Sequence, residues 1–193
     1  MKKIILSLCF CSISLFCLAQ QSDISSLVAK IAKPYSESNA FSVKFSAKIS
    51  NSNVKGTIYV SGDKYRIDSD DFLMIYDGKH RYNYVKKNNE VYIETPEKGD
   101  NNVMQSPQRL LELTKNSEPI LKENSDGTRI LIFEKEDLEL KLDKNDNILS
   151  IAVTDGNNTT INILSSDTNS AIKSSIFSFD KEDFKGAEII DFR

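Results

Sequence analysis

Strict alternation of apolar and polar residues, repeated in short segments, is the feature that most limits how this chain can fold. In residues 41–50, FSVKFSAKIS, one side of an extended chain carries Phe41, Val43 and Phe45, and the other carries serines and lysines. Alternation with a period of two indicates a strand with one buried and one solvated face. What covers the apolar face is therefore the first question about this protein.

Similar strand patterns follow one another through most of the chain, with turn residues between them. Turn signals at Gly62-Asp63, Asp77-Gly78 and Asn88-Asn89 predict tight connections, so the first of these segments form an antiparallel meander. Together the patterns predict one mostly β domain of about ten antiparallel strands. The predicted strands after residue 50 lie in 56–62, 63–71, 72–78, 80–87, 90–96, ILKEN, TRILIFE, LELKLD, ILSIAVTD, TTINILSS and near 176–179.

An amphipathic helix is predicted before the first strand. Residues 22–38 place four apolar side chains at helical spacing, and Pro34 should end or kink the helix because it lacks an N–H. The four apolar residues are Ile24, Leu27, Val28 and Ile31.

A second helix is predicted after a polar loop at 97–105. Ser106 and Pro107 are typical of a helix start, and Leu110 and Leu111 give that helix an apolar side. An antiparallel sheet needs a cover on at least one face. Because both predicted helices are short, we expect them to leave room for an apolar cavity.

The first nineteen residues have the pattern of a secretory signal peptide. Lys2 and Lys3 precede an apolar stretch that ends in small residues before Gln20, so we expect residues 20–193 to form the mature domain. Large residues precede all three cysteines of this segment, so we expect no lipidation. With no cysteine after residue 19, disulfides and Cys-based zinc sites are excluded from the mature chain.

Charge and chemistry-bearing residues argue against a nucleic-acid partner and against catalysis. Loss of Lys2 and Lys3 changes the net charge from −3 to −5, and no basic patch appears. His80 is the only histidine, so a catalytic triad would have to use it. The sequence therefore predicts a protein that is not an enzyme and has no metal site.

Two acidic segments are the alternatives to that interpretation. Asp68, Asp70 and Asp71 could bind calcium or, with His80, supply hydrolytic groups, although neighbouring strand residues face opposite sides. Residues 143–147, DKNDN, resemble the start of a calcium loop, but Ile148 stands where such a loop needs glycine. We interpret this second segment as a polar turn.

The order of the segments resembles the LolA family of outer-membrane lipoprotein carriers. The similarity lies in FSVKFS, KGTIYV followed by a turn and YRID, IYDGK at 75–79, SPQRLLEL and the closing AEIIDFR. It extends over essentially the whole mature chain.

The resemblance implies a strongly curved, unclosed antiparallel β half-barrel with short helices lidding its concave face. It implies a monomeric periplasmic carrier that binds the acyl chains of lipoproteins in a concave apolar cavity. Such a carrier receives lipoproteins from an inner-membrane ABC transporter and delivers them to an outer-membrane receptor, without cofactor or enzymatic chemistry. The alternative is an envelope sensor or adaptor of the same fold, which binds a lipidated or envelope protein and signals.

The resemblance also implies which residues would line the cavity. Family members have Arg-Pro in the turn after the G-x-I-x-V strand, and that arginine holds the lid closed, whereas this chain has Gly62-Asp63 there. Either Arg66 is the residue that holds the lid here, or the lid is held differently, or gating of this kind is absent. The candidate acyl-chain residues are Phe41, Val43, Phe45, Ile58, Val60, Tyr65, Ile67, Leu110 and Leu111.

Overall fold

The computed structural model describes residues 23–49, 52–97, 112, 117–154, 159–168 and 171–193. These residues form one curved, unclosed sheet of twelve strands, with a helix, α1, over residues 23–36. The mostly β, open fold predicted from the sequence is confirmed. None of the described helices is long and apolar enough to cross a membrane.

The strands follow the predicted segments closely. Two short 3-10 helices, Ser174–Phe177 and Lys181–Phe184, precede the last strand, and a third covers Glu134–Glu136. The strands are β1 Ala40–Ile49, β2 Ser52–Ser61, β3 Lys64–Ser69, β4 Phe72–Tyr76, β5 Arg81–Val85, β6 Glu90–Glu94, β7 Ile120–Glu123, β8 Arg129–Phe133, β9 Leu138–Leu142, β10 Ile148–Val153, β11 Thr159–Asp167 and β12 Glu188–Asp191.

Two meanders meet at the centre of the sheet. The strand order is β12-β6-β5-β4-β3-β2-β1-β11-β10-β9-β8-β7, so β1 joins the first meander to the second through β11. The count is twelve rather than about ten, and one pair, β12 with β6, is parallel. Strands β6 and β12 are far apart in the chain, and the segment between β11 and β12 brings the chain to the β6 edge of the sheet.

One face of the sheet, which we call the inner face, carries the main apolar core. It is the face of Phe41, Phe45 and Ala47 on β1, and it continues through near-fully buried leucines such as Leu131 and Leu140 in the second meander. The predicted apolar side of α1 packs into the same cluster, which confirms the helix and its orientation. The helix runs through Pro34 and ends two residues later, at residue 36.

The glycine of β2 is required by close packing at the inner face. A Cβ on Gly56 would lie 2.4 Å from the backbone oxygen of Asp68 and 3.0 Å from Cε1 of Phe45. Phe45 is the cross-strand partner of Gly56, so its ring fills the space that a side chain would otherwise occupy. This packing accounts for the glycine in the KGTIYV motif.

The opposite, outer face of the first meander has a cover of its own. Leu73, Ile75, Val91 and Ile93 on β4 and β6 are buried there, together with Phe177. The chain between β11 and β12 supplies Phe177 as well as the Phe179 ring, which stacks on Tyr82 with centroids 4.5 Å apart. The strand predicted near residues 176–179 is wrong, because residues up to Phe177 form a 3-10 helix that packs across the sheet instead of pairing with it.

Candidate functional site

Cross-strand register places most of the candidate acyl-chain residues side by side on the inner face. One row, which we call the middle row, runs across six strands, from an aliphatic end at β1 to a polar end at β6. Its members are Val43, Ile58, Ile67, Met74, Asn83 and Tyr92. A parallel row beside it consists of Phe41, Val60, Tyr65, Tyr76, Arg81 and Glu94.

The predicted residues differ in how deeply they are buried. Phe41, Phe45, Val60, Tyr65 and Ile67 are all buried in the main core, with Phe45 only 4% exposed. Whether these residues contact a ligand stays a prediction.

The rest of the predicted set is less deeply placed or is not described. Val43 and Ile58 are partly buried at the margin of the core, as is Met74 of the same row. Leu110 and Leu111, with the helix predicted at 106–115, lie outside the described residues apart from Glu112.

Helix α1 covers part of this face and is tied to the sheet at its rim. Lys30 donates to the Asp146 carboxylate at 2.7 Å, in the turn between β9 and β10, and Arg129 of β8 pairs with the same carboxylate. Tyr35 packs edge-on against Phe41, with ring centroids 5.2 Å apart. The helix is therefore held by apolar packing and by an ion pair whose lysine is exposed.

The β5–β6 end of the inner face is polar and includes a buried charge. Arg81 donates from Nε to Glu94 at 2.7 Å, and its side chain is 8% exposed. Burial opposes this charge, but hydrogen bonds to Glu94 and Tyr65 outweigh it and raise the pKa of Arg81. A buried arginine has to be paired in this way, because an unpaired one would be strongly destabilising.

The neighbouring position in the middle row is less well satisfied. Among the described residues, no hydrogen-bond donor reaches Oδ1 of Asn83, although that atom is buried. Next to it, the Tyr92 hydroxyl donates to Glu90, and this bond lowers the pKa of Glu90 and raises the pKa of Tyr92. Of the described side chains at this end, Asn83 is thus the one whose buried acceptor atom has no donor.

Arg66, the candidate for holding the lid, projects from the outer face. Its register partners are Tyr59 and Ile75, and it donates to the Ile176 carbonyl at 3.3 Å and pairs with Asp68 at 3.1 Å. These contacts fix the segment before β12, on the opposite side of the sheet from α1. A lid-holding role for Arg66 finds no support in them.

The residues weighed for a hydrolytic or calcium site do not converge. Asp70 and Asp71 are exposed in the β3–β4 turn, whereas His80 is in the β4–β5 turn at the other end of β4. The Asp143 carboxylate accepts hydrogen bonds from the backbone of Asn145 and Asn147, as in a polar turn. Within the described ranges, no group of three acidic, histidine or cysteine side chains could hold a metal ion.

Three residues of this surface were missed from the sequence. Arg81, Asn83 and Glu94 looked like ordinary polar positions of strands, because only the register shows that they share the face of Tyr65 and Met74. Arg81 could have been recognised from the sequence. The turn at Asp77-Gly78 sets the register of the hairpin, which places this charged residue directly opposite Tyr76.

Comparison with known proteins places the chain in a family. A family model described as outer membrane lipoprotein carrier protein LolA matches residues 20–133, which is more than half of the chain. The protein belongs to the LolA-like family. The family is described as one of lipoprotein carriers, and the assignment supports a carrier-like fold over the matched residues.

Comparison of this LolA-like protein with solved structures concerns the fold alone. An uncharacterised conserved protein from Thermus thermophilus aligns with a TM-score of 0.55 at 11% identity, over 86% of this chain and 97% of its own, and supports the same fold. LprF from Mycobacterium bovis aligns with a TM-score of 0.40 at 10% identity, over 79% of this chain and 96% of its own. The Pseudomonas aeruginosa MucA/MucB complex aligns with a TM-score of 0.40 at 15% identity, over 83% of this chain and 62% of its own. A search of curated proteins finds no significant match.

Proposed function

We propose that this protein is a periplasmic carrier that binds the acyl chains of lipoproteins on the inner face and shuttles them from the inner to the outer membrane. The observation that carries the proposal is the middle row, in which Val43, Ile58 and Met74 are apolar but only partly buried. Four aliphatic positions in adjacent strands form a continuous apolar track of a kind that an acyl chain could follow. Membership in a carrier family supports the same function.

The energetics of such a site favour reversible binding. Each methylene removed from water contributes about 0.8 kcal/mol, so a long acyl chain gains considerable free energy without any directional contact. Ile67 of the row is buried in the same cluster as α1. We therefore propose that binding displaces α1 and that the lost helix packing offsets part of the gain, which keeps release to an acceptor feasible.

The proposed partners follow from this route. Lipoproteins would be received from an inner-membrane ABC transporter and passed to a receptor in the outer membrane. We propose that the carrier acts as a monomer, because one open inner face provides one binding site per chain.

The test is release of lipoprotein from inner-membrane vesicles that contain the transporter, with purified protein and ATP. We expect lipoprotein to appear in the soluble fraction in proportion to the carrier added. Met74→Glu should abolish release, because it introduces a charge into the apolar track. Leu164→Glu adds the same charge at a residue that is 60% exposed, and should leave release intact.

Phe45 is a poorer choice for this test. Its ring packs over Gly56 and is almost completely buried, so Phe45→Glu would unfold the protein whether or not it binds lipid. Lipoprotein that stays on the membrane at every carrier concentration would refute the carrier function. A stable complex with an envelope protein and no release would instead indicate a sensor.

A further inference from the structure

The polar end of the middle row has the properties of a recognition site for the group to which an acyl chain is attached. From Val43 the row crosses four strand-to-strand steps to reach Asn83. At about 4.8 Å per step this is about 19 Å along the sheet, comparable with a long acyl chain. A chain lying on the aliphatic positions would therefore bring its polar linkage to Asn83.

We propose that Asn83 accepts a hydrogen bond from the amide N–H of an amide-linked acyl chain. The inference rests on the proposed function, since it assumes that the acyl chain occupies the inner face. Beyond that function, the inference predicts that the site selects N-acylated ligands over lipids whose linkages carry no N–H donor. The donor is identified by what Asn83 lacks: its Oδ1 is buried and has no partner among the described residues.

The groups around Asn83 explain why this residue, and not a neighbour, would accept the hydrogen bond from the ligand. Arg81 and Glu94 satisfy each other, with Tyr65 against the guanidinium. Glu90 accepts from Tyr92 and also from Asn88, at 3.1 Å. These hydrogen bonds hold the neighbouring polar side chains in place and satisfy them. The Oδ1 atom of Asn83 beside them has no such partner among the described residues.

A buried acceptor without a donor destabilises the empty protein, and natural proteins keep few such groups. A ligand that supplies the missing N–H gains its hydrogen bond and also removes this penalty. A ligand without an N–H leaves the acceptor buried and unsatisfied. The difference in binding free energy between ligands with and without the N–H donor should therefore exceed the net free energy of an ordinary hydrogen bond.

The experiment compares two ligands that differ in one hydrogen-bond donor, N-methylhexadecanamide and N,N-dimethylhexadecanamide, by displacement of a fluorescent fatty acid. Wild-type protein should bind the secondary amide about ten-fold more tightly. Asn83→Leu should lose this preference, and the empty variant should melt no lower than wild type. Tyr92→Phe removes a neighbouring hydroxyl but keeps Asn83, so it should retain the preference.

Equal affinity of wild-type protein for the two amides would overturn the proposal while leaving acyl binding intact. A preference that survives in Asn83→Leu would also overturn it, because another group would then be the acceptor. If neither amide displaces the fluorescent fatty acid, acyl binding itself fails, and the proposed function falls together with this inference.

Discussion

Replacement of Lys30 by Gln should weaken the closure of α1 and thereby strengthen lipid binding. Lys30 is 67% exposed and bonds at 2.7 Å to Asp146, which is 11% exposed and also pairs with Arg129. Because Asp146 keeps its second partner in the variant, no carboxylate is left buried and unpaired. The substitution therefore removes little more than the tie between helix and sheet.

The size of the effect follows from the exposure of the pair. Because Lys30 is exposed to solvent, which screens the pair, we expect the pair to contribute about 0.2–1 kcal/mol to stability. If α1 must move for an acyl chain to bind, the same free energy raises the fraction of competent protein. Apparent affinity should then increase between about 1.4-fold and 5-fold, while the empty protein becomes less stable by the same free energy.

The assay is titration with a fluorescent fatty acid together with urea denaturation of the empty protein. Lys33→Gln is the matched control, since Lys33 pairs at 3.9 Å with Glu37, the residue just after α1, and both side chains are exposed. It should change stability slightly and affinity not at all. An unchanged or lower affinity for Lys30→Gln would refute the displacement of α1, because the acyl chain would then bind without uncovering Ile67.

Two further predictions concern stability. Gly56→Ala should lower the free energy of unfolding by about 1–3 kcal/mol, because the new Cβ collides with the backbone of Asp68. Urea denaturation measures this change. The control is Gly62→Asn, which should be near neutral because Gly62 lies in an open turn with a left-handed backbone that asparagine tolerates. Stability should also fall at acid pH. Burial opposes the charge of Asp77, but hydrogen bonds from the backbone of His80 and Lys79 and from Tyr82 outweigh it and lower the pKa of Asp77. Stability from this lowered pKa is fully present above the unfolded value of about 3.9 and is lost as pH falls through the folded pKa. Urea midpoints should therefore be steady from about pH 7 to 5 and fall below about 4, and Asp77→Asn should reduce that fall.

The elements that could be predicted from the sequence are those with one covered face. FSVKFSAKIS alternates because α1 covers one side of β1, and the four apolar residues of α1 lie on a single helical face. The turn at Asp77-Gly78 was recognisable because its chemistry is local: the Asp77 carboxylate accepts the backbone N–H groups of Lys79 and His80, both at 2.8 Å.

The parts that could not be predicted depend on which element covers which face. FLMIY, on β4, shows no alternation because Phe72 and Met74 border the inner core while Leu73 and Ile75 are buried on the outer face. A continuous apolar run does not say what lies on either side of it. The same ambiguity hid the roles of the tyrosines, since Tyr65 belongs to the inner face and Tyr82 stacks on Phe179 at the outer one.

The two covers that the structure describes differ in how firmly they are attached, and this difference bears on function. The segment over the outer face ends in β12, whose backbone pairs with β6. Two hydrogen bonds also join it to the β5–β6 turn: the Glu188 N–H donates to the Asn89 carbonyl at 3.0 Å, and the Asn89 side chain donates to the Gly186 carbonyl at 2.8 Å. Helix α1 instead contacts the sheet through apolar side chains and through one ion pair whose lysine is exposed, without strand pairing. The outer cover can leave only if its backbone hydrogen bonds to β6 break, whereas α1 can shift while its own hydrogen bonds stay intact. The inner face is therefore the side on which a ligand could enter at the lower energetic cost.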